Sequence, residues 1–537
     1  MDDDGEKRGV TGMYEVTAAG DLAAQTDLSS LFRSWLDGDA VLGSASRNWE
    51  QFLTDSPESV GKAPIWSATT WRERWLPKIL ADLPDETARE RCRAGVAQLC
   101  AGEAAVVVTG QQPGFLGGPL YTLLKIAAAI AAASARSSAG FPTVPLFWLG
   151  DDDDDRREAF APVLYDPQRD AFLRARTGEG QSDRMMGTVT VNEWAQGEIA
   201  WLNEQAGRNA LARDLAALGR EALAADWTWS RWQRRCLLRI FAGTDLLIVS
   251  GNDAELQAVA EPLYSRLWTA GSEMEELARQ RGELLIGAGY HAQIGNSSLQ
   301  RYLHLEAAGR RQTLTVDPAA EMPAASRLRP GVAARSLVQD WLFRPAAVVV
   351  GPGELAYLQQ LAPLYDLFSI PRSPLLPRLF AQLIPPGSQP DSSGGDAMDA
   401  GPGAELDQVV TDILEGRHAA IVSALETVAG VGAKRAANLA QQQLDRWRDN
   451  LEVLLLQQYQ RIHRRRSVPK IPWLTGPKGQ RQERTLASFW AAALWGESLA
   501  PSLLAAADTF FTSGADSAWR QYAVRVTSPE KRVTSPE

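Results

Sequence analysis

Three short stretches of this chain combine residue types and spacing that can do chemistry. The first is Thr109-Gly110-Gln111-Gln112-Pro113-Gly114-Phe115-Leu116-Gly117-Gly118-Pro119. Glycines in such a turn let a ligand approach the backbone. Free N–H groups where a helix begins favour an anion such as phosphate or carboxylate. Gln111 and Gln112 add amide donors and acceptors. The turn is neither a Walker A loop nor GxGxxG, and a plain tight turn is the competing reading. Lys125, two turns into the apolar stretch that follows, is an isolated charge that needs a partner. The second stretch is Asp151-Asp152-Asp153-Asp154-Asp155. Adjacent carboxylates repel, so some must be protonated, paired with Arg or Lys, or bound to a cation. An oxygen-rich site of this kind suits Mg2+. Neutralisation by the neighbouring Arg156 and Arg157, or a plain solvated loop, is the competing reading. The third is Gly351-Pro352-Gly353-Glu354, a backbone nest with a carboxylate that either serves a ligand or caps its helix. Arg335, Gln339 and Asp340 precede it, and Arg335 can clamp a carboxylate bidentately. Arg378, in a Pro-rich turn, can clamp substrate or cap a helix end.

The other reactive residue types say less. Four scattered histidines (His291, His304, His418, His463) argue against a His-rich metal site. His291, after Gly289-Tyr290, is the one placed near a cleft, although a lone histidine is more often structural. Cys92, Cys100 and Cys236 lie in apolar, helical contexts and read as packing residues, with no disulfide framework. The basic run Arg461–Arg466 reads as a solvated helix end, with docking of an acidic nucleotide as the other use.

The elements that must carry these stretches form a pattern. Ala105–Thr109, Val144–Leu149, Leu246–Val249 and Ala346–Val350 are short apolar runs, and glycine, acid or Ser-Gly turns follow them. Uninterrupted apolar strands suit a parallel sheet covered on both faces. Strand, glycine turn, apolar helix and strand make a βαβ unit. Residues 28–104 read as helical and Trp-rich, with Trp35, Trp49, Trp66, Trp71 and Trp75 as packing residues. The expected organisation is a polar tail at 1–10 and an α/β core in three parts, 11–155, 236–265 and 335–384. Polar, loop-rich insertions at 156–235 and 266–334 interrupt it. A flexible Pro/Gly/Ser-rich linker at 385–403 leads to a helical hairpin with a coiled-coil-like seam at 404–467. A helical segment at 468–525 and a short polar tail at 526–537 complete the chain. A long hairpin projecting from a core has few surfaces of its own to cover it, so a homodimer through the hairpin is expected.

Composition sets the outer bounds. Hydrophobic residues at 45% are enough to bury a sizeable core. A formal charge of −10, from 55 basic and 65 acidic residues, disfavours a nucleic-acid backbone as the main partner. The polar N-terminus lacks the basic start and apolar run of a secretory signal. The most apolar stretch, Leu123–Ala135, is shorter than the about 20 residues a membrane span needs. A soluble cytoplasmic protein without a membrane partner is expected.

The motifs occur in an order that resembles the BshC family, the cysteine ligases assigned to bacillithiol biosynthesis. The likeness lies in Val107-Val108-Thr109-Gly110-Gln111-Gln112-Pro113-Gly114, in Gly118-Pro119-Leu120-Tyr121-Thr122 with Lys125, and in Val144-Pro145-Leu146-Phe147-Trp148. It returns at Phe241-Ala242-Gly243, Val338-Gln339-Asp340, Val350–Tyr357, Ile370-Pro371 through Pro377-Arg378, and Gly479 with Gln482-Glu483-Arg484. The resemblance implies a Rossmann-like parallel-sheet core with two insertions, followed by a C-terminal helical coiled coil that makes dimers. It implies condensation of cysteine with the amine of glucosaminyl malate, with association to a nucleotide such as ATP or ADP.

On this basis Asp152, Asp153, Asp154 and Asp155 are the expected catalytic residues. Substrate is expected at Thr109, Gly110, Gln111, Gln112, Gly114, Gly118, Tyr121, Lys125 and Trp148. The later part of the chain would add Arg335, Gln339, Asp340, Gly351, Gly353, Glu354, Tyr357 and Arg378. Two positions depart from the family pattern. Asp154 stands where a histidine is usual, and Ser250 where an acid is common. Histidine titrates near neutrality and an ordinary aspartate does not. Asp154 is therefore shifted upward, or another group is the base, or the chemistry has changed. The last case corresponds to a binding homologue that has lost the ligase step.

Overall fold

The computed structural model describes residues 14–25, 28–56, 63–67, 69, 73, 75–166, 171–174, 184–384, 481–515 and 519–526. The expected tail at 1–10, the linker 385–403, the hairpin 404–467 with the basic run within it, and all of the tail expected at 526–537 except Val526 lie outside the described residues; Val526 belongs to a strand.

The apolar runs form a parallel sheet of five strands: β1 Ala105–Gln111, β2 Thr143–Leu149, β3 Leu247–Ser250, β4 Ala347–Val350 and β5 Leu375–Pro377, in the order β5-β4-β1-β2-β3. All four pairings are parallel. Val106, Val107, Val108, Leu146, Phe147 and Val349 are buried, as expected of strands covered on both faces. The helix α1 (Tyr121–Ser138) joins β1 to β2. Every residue from Thr122 to Ala133 on it is buried. That explains a helix apolar all round: it packs on β1 and β2 and is itself packed by the helix Leu499–Ala515. Two further helices flank the site, α2 (Val332–Phe343) and α3 (Pro352–Leu367). Phe343 of α2 meets Trp148 of β2 edge-on, with ring centroids 5.6 Å apart.

The strand order reverses between β1 and β4. Chain progress from β1 runs outward one way, and from β4 the other way. In an open α/β sheet the crevice at the carboxyl ends of such a strand pair is where ligands bind. Thr109 fastens the two strands there: its Oγ1 donates to the carbonyl of Val349 at 2.9 Å.

The expected insertions are more ordered than loop-rich segments would be. The first contains helices Gln196–Gln205, Ala210–Ala224 and Trp229–Ile240. The second contains the helix Gly271–Gly287 and a three-stranded antiparallel sheet of Leu303–Ala307, Arg310–Thr313 and Leu328–Pro330. The described part of the C-terminal segment holds the helices Gln482–Thr485, Ser488–Trp495 and Leu499–Ala515 and then ends in a strand, Arg520–Val526. That strand pairs antiparallel with Tyr14–Asp21 and parallel with Ala381–Ile384, two strands that the sequence did not announce. The sheet, both connecting segments and these C-terminal elements form one compact unit. Among the described residues, no helix is long and apolar enough to cross a membrane.

The glycine turn after β1 is built inward, not open. A Cβ on Gly114 would lie 2.8 Å from the Cα of Gly118 and 3.0 Å from the carbonyl oxygen of Ala159. Gly117, at φ +84°, would place a Cβ 2.5 Å from the Phe489 ring. The turn's N–H groups are spent on the protein. Gly114 N donates to Gln233 Oε1 at 3.2 Å, and Leu116 N to Glu198 Oε2 at 2.6 Å. The N–H groups of Gly117 and Gly118 reach the Gly114 carbonyl at 3.0 and 3.1 Å. The C-terminal segment braces the far side, where Leu120 N donates to Leu486 O and Ser488 N to Gly118 O.

Glu198 is fully buried, and desolvation pushes its carboxyl up to about 8 against the opposing pull of the Leu116 N–H. A carboxyl raised on folding stabilises the protein below its unfolded pKa, and that contribution is lost as pH rises through the folded value. Glu198→Gln keeps an acceptor for Leu116 and removes the ionisation. Its stability relative to the natural chain should therefore grow between pH 5 and 8, by on the order of a few kcal/mol. Urea unfolding at several pH values measures this, and a difference independent of pH would contradict it.

Candidate functional site

A cavity of about 670 Å3 opens at the carboxyl end of the sheet, and three of its walls come from the stretches singled out above. Gly110, Gln111 and Gln112 enter from β1, and Trp148, Gly150, Asp153, Asp154 and Asp155 from β2. Glu354 and Tyr357 come from α3, and Arg335, Gln339 and Asp340 from α2. The strand-end turns thus face one volume.

The remaining expected residues stand behind this surface or apart from it. Lys125 is 4% exposed, and its ammonium lies 2.5 Å from Glu354 Oε2 and 2.7 Å from the Gly110 carbonyl. Glu354 Oε2 also accepts the N–H of Gly351, so it caps α3 and pairs Lys125 at once. Tyr121 accepts from Gln111 Nε2 at 3.2 Å. Arg378 lies over the Phe380 ring at 4.0 Å and donates to Glu483 at 3.2 Å. Thr109 ties β1 to β4, and Gly114 and Gly118 pack within their turn. At Gly353 the space where a Cβ would project is open.

The five aspartates divide by what surrounds each. Asp151 is buried and receives Ser250 Oγ at 2.8 Å and Asn252 N at 2.9 Å. Burial pushes it up to about 6 even so. Asp152 is fully buried, with one oxygen 3.2 Å from the Arg335 guanidinium. Asp153 takes Arg335 at 3.0 Å and Arg311 at 3.1 Å. Burial alone would raise it, but the two guanidinium groups hold it down at about 2. Asp154 is half-buried and 3.4 Å from Arg311. Burial and the Asp153 charge raise it, with Arg311 opposing. Asp155 accepts the N–H of Glu158 and so caps the short helix Arg156–Ala159.

The neutralising cations therefore come from far along the chain. Arg156, one of the two neighbours weighed for that task, lies over the Trp194 ring at 4.8 Å. Arg335, weighed as a clamp for a ligand carboxylate, is engaged by Asp152 and Asp153. With the acids so paired, the described residues contain no group of three or more His, Cys, Asp or Glu placed to hold a metal ion.

Several lining residues were not anticipated. Ser298, Arg301, His304 and Arg311 come from the second connecting segment, which thereby forms a wall of the site. His291 is exposed and does not line the cavity; the histidine that does is His304. Burial, with Arg311 and Arg335 nearby, lowers His304 to about 3, so it is neutral at pH 7. Its Nδ1 has no hydrogen-bond partner among the described residues, and neither has Gln112 Nε2. Glu158 joins the mouth of the cleft, donated to by Gln111 at 3.2 Å and raised by its surroundings and by Asp153 and Asp155. The only signal for these residues was chemical type, in stretches without apolar periodicity.

Asp340 is buried to 3% exposure at the cavity wall. Gln339 Nε2 donates to one oxygen at 3.0 Å and the Tyr365 hydroxyl to the other at 3.1 Å. Desolvation outweighs both bonds and pushes the carboxyl up to about 7.

Removing one partner of a buried ion pair leaves the other charge uncompensated, at a cost of about 3–5 kcal/mol. Arg335→Met should destabilise the fold by that order, because Asp152 has no water to turn to. Urea denaturation measures it, and a loss under about 1 kcal/mol would contradict the pairing.

The chain matches, over residues 67–322 and 319–379, the family described as "Bacillithiol biosynthesis BshC, N-terminal Rossmann-like domain". It is similar to three proteins named "Putative cysteine ligase BshC". The one from Shouchella clausii (strain KSM-K16) is 27% identical over 317 residues, 55% of this chain and 58% of that protein. The one from Koribacter versatilis (strain Ellin345) is 28% identical over 328 residues, 58% of each. The one from Geobacillus kaustophilus (strain HTA426) is 26% identical over 354 residues, 60% of this chain and 62% of that one. The similarity thus covers about three fifths of these relatives' length. The family match takes in all five sheet strands, both connecting segments and the residues lining the cleft, more than half of the chain, and on that ground the chain belongs to the BshC family.

Proposed function

We propose that this chain is a carbon–nitrogen ligase that joins L-cysteine to the amine of glucosaminyl malate in bacillithiol biosynthesis. The observation that carries the reading is the convergence of the β1, β2 and β4 turns on one cleft, within the residues that match the family. The chemistry of the lining suits two amino-bearing substrates. Asp154 and Glu158 offer acceptors to an ammonium group. Arg301 supplies a cation, and Gln112 Nε2 a free donor, for carboxylate oxygens. Amide formation needs an activated carboxyl, so a nucleoside triphosphate is the expected co-substrate. The glycine turn Gly110–Gly118 does not suit its phosphates. The N–H groups from Gly114 to Gly118 that would receive them are taken up by Glu198, Gln233 and the turn's own carbonyls, apart from Phe115.

Purified protein should convert glucosaminyl malate in a cysteine- and nucleotide-dependent reaction. Loss of the gene should remove the corresponding thiol from the host's low-molecular-weight thiol pool, read by mass spectrometry. Absence of turnover across nucleotides and divalent metals, with an unchanged thiol pool, would remove the ligase reading. Activity that appears only in Asp154→His would assign the natural chain to binding without catalysis.

We further propose that residues 404–467 form a helical hairpin through which two copies pair, and that the enzyme works in the cytoplasm. Light scattering after size exclusion should give twice the chain mass for the whole protein and the single-chain mass once 404–467 is deleted. The same number of chains per particle before and after would contradict the pairing.

A further inference from the structure

The proposed reaction needs a base. At neutral pH an amine is largely an ammonium ion without a lone pair, and it cannot attack a carboxyl carbon until it loses a proton. The acid loop after β2 is poorly suited to that task. Asp152 and Asp153 are ion-paired with Arg335 and Arg311, Asp154 lies against Arg311, and Asp155 caps a helix. A carboxylate held by a guanidinium gives up that pairing if it takes a proton. His304 is neutral but is flanked by the charges of Arg311 and Arg335, which oppose its protonation.

Asp340 is placed differently. It lies on the wall of the same cavity and forms no ion pair among the described residues, and both of its oxygens are held by neutral donors, Gln339 and Tyr365. Each carboxylate oxygen has a second lone pair for a substrate proton. The elements packed on α2 bring no free cation to it. From α3 come the phenols Tyr357 and Tyr365, which burial keeps un-ionised. From the strand Leu328–Pro330 comes Arg329, which donates to Asn252. The helices Pro64–Ser67 and Asn296–Gln300 contribute no titratable side chain. On α2 itself Arg335 is engaged by Asp152 and Asp153. Burial without a counter-charge puts the Asp340 carboxyl where it can accept and release a proton near neutral pH.

We infer that Asp340 is the proton acceptor for the attacking amine in this cleft, an assignment that rests on the ligase reading above. One N–H proton of the ammonium group passes to a carboxylate oxygen of Asp340. The bonding pair stays on nitrogen as the lone pair that attacks, and Asp340 becomes the neutral acid. The proton then leaves to water, which restores the carboxylate. Gln339 and Tyr365 are positioning residues that fix the carboxylate and set its proton affinity.

The test is the pH dependence of turnover of glucosaminyl malate by the full chain. In the natural protein kcat should rise with pH through a single ionisation near neutrality. Asp340→Asn should lower kcat about 100-fold or more, abolish that ionisation, and leave the Kd of glucosaminyl malate, read by calorimetry, within about twofold. Tyr365→Phe removes a donor that favours the ionised carboxyl and should move the ionisation to higher pH with a similar plateau rate. Retention of kcat within about threefold in Asp340→Asn would overturn the assignment. So would a profile that shifts with Glu158→Gln and not with Asp340→Asn. If Asp340→Asn does not fold, the Tyr365→Phe profile decides, and an unmoved ionisation overturns the assignment. Failure of the natural protein to turn over at all would instead fell the ligase reading, and this assignment with it.

Discussion

A single buried ammonium group fixes the geometry on which the site depends. Lys125 sits in a stretch of helix, Leu123–Ala133, otherwise made of apolar side chains and sealed between the sheet and a second layer of helix. An unpaired charge there would be prohibitive, so the chain has to bring acceptors to it. It brings them from both sides of the strand-order reversal: the Gly110 carbonyl and Gln111 from the end of β1, and Glu354 from the start of α3 beyond β4. The same Glu354 oxygen takes the Gly351 N–H. The cleft floor is therefore one hydrogen-bonded knot through Lys125. The two strand ends that border the cleft are thereby tied to one charge that does not line it.

In front of that knot the cleft sorts its charges by partner. Acids at the end of β2 are numerous enough to repel one another, and arginines from α2 and from the strand Arg310–Thr313 settle them. Asp152 and Asp153 thereby become fixed negative charge in a structural lattice. Asp340, a short way along α2 from Arg335, receives only neutral donors. Two carboxyl groups on one cleft wall thus end far apart in proton affinity, Asp153 at about 2 and Asp340 at about 7. The cause is whether a guanidinium reaches them, because both are buried. Environments that push two titratable groups apart in this way mark out which one can exchange a proton.

The sheet was legible because its signal is local. Val106-Val107-Val108 and Ala347–Val350 are β-branched or small, uninterrupted and closed by glycine, and nothing distant is needed to read them. β5 and the strand Tyr14–Asp21 were not legible: the first is three residues ending in proline, and the second is defined by partners some 500 residues away. The glycine turn was visible, but its use was not. Whether its N–H groups face a ligand or the protein depended on Glu198 and Gln233, which lie 82 and 119 residues along the chain. The same holds for Arg311 and His304. They sit in a polar segment with no apolar period, and only the folded chain shows that this segment returns to the cleft.

Charge is distributed unevenly between the ends of β2 and β3. Asp154 places a second carboxyl group beside Asp153, and Arg311 lies against both. Ser250 brings a neutral side chain to the end of β3. Its hydroxyl donates to Asp151 at 2.8 Å, the distance at which a second carboxylate would meet the first. Asp151 stays buried with a neutral donor on each oxygen, the Asn252 N–H on Oδ1 and the Ser250 hydroxyl on Oδ2, and Asp154 lies half-exposed on the cavity wall. A buried carboxyl with no counter-charge can exchange a proton near neutral pH, and the cleft wall has such a group on α2 at Asp340.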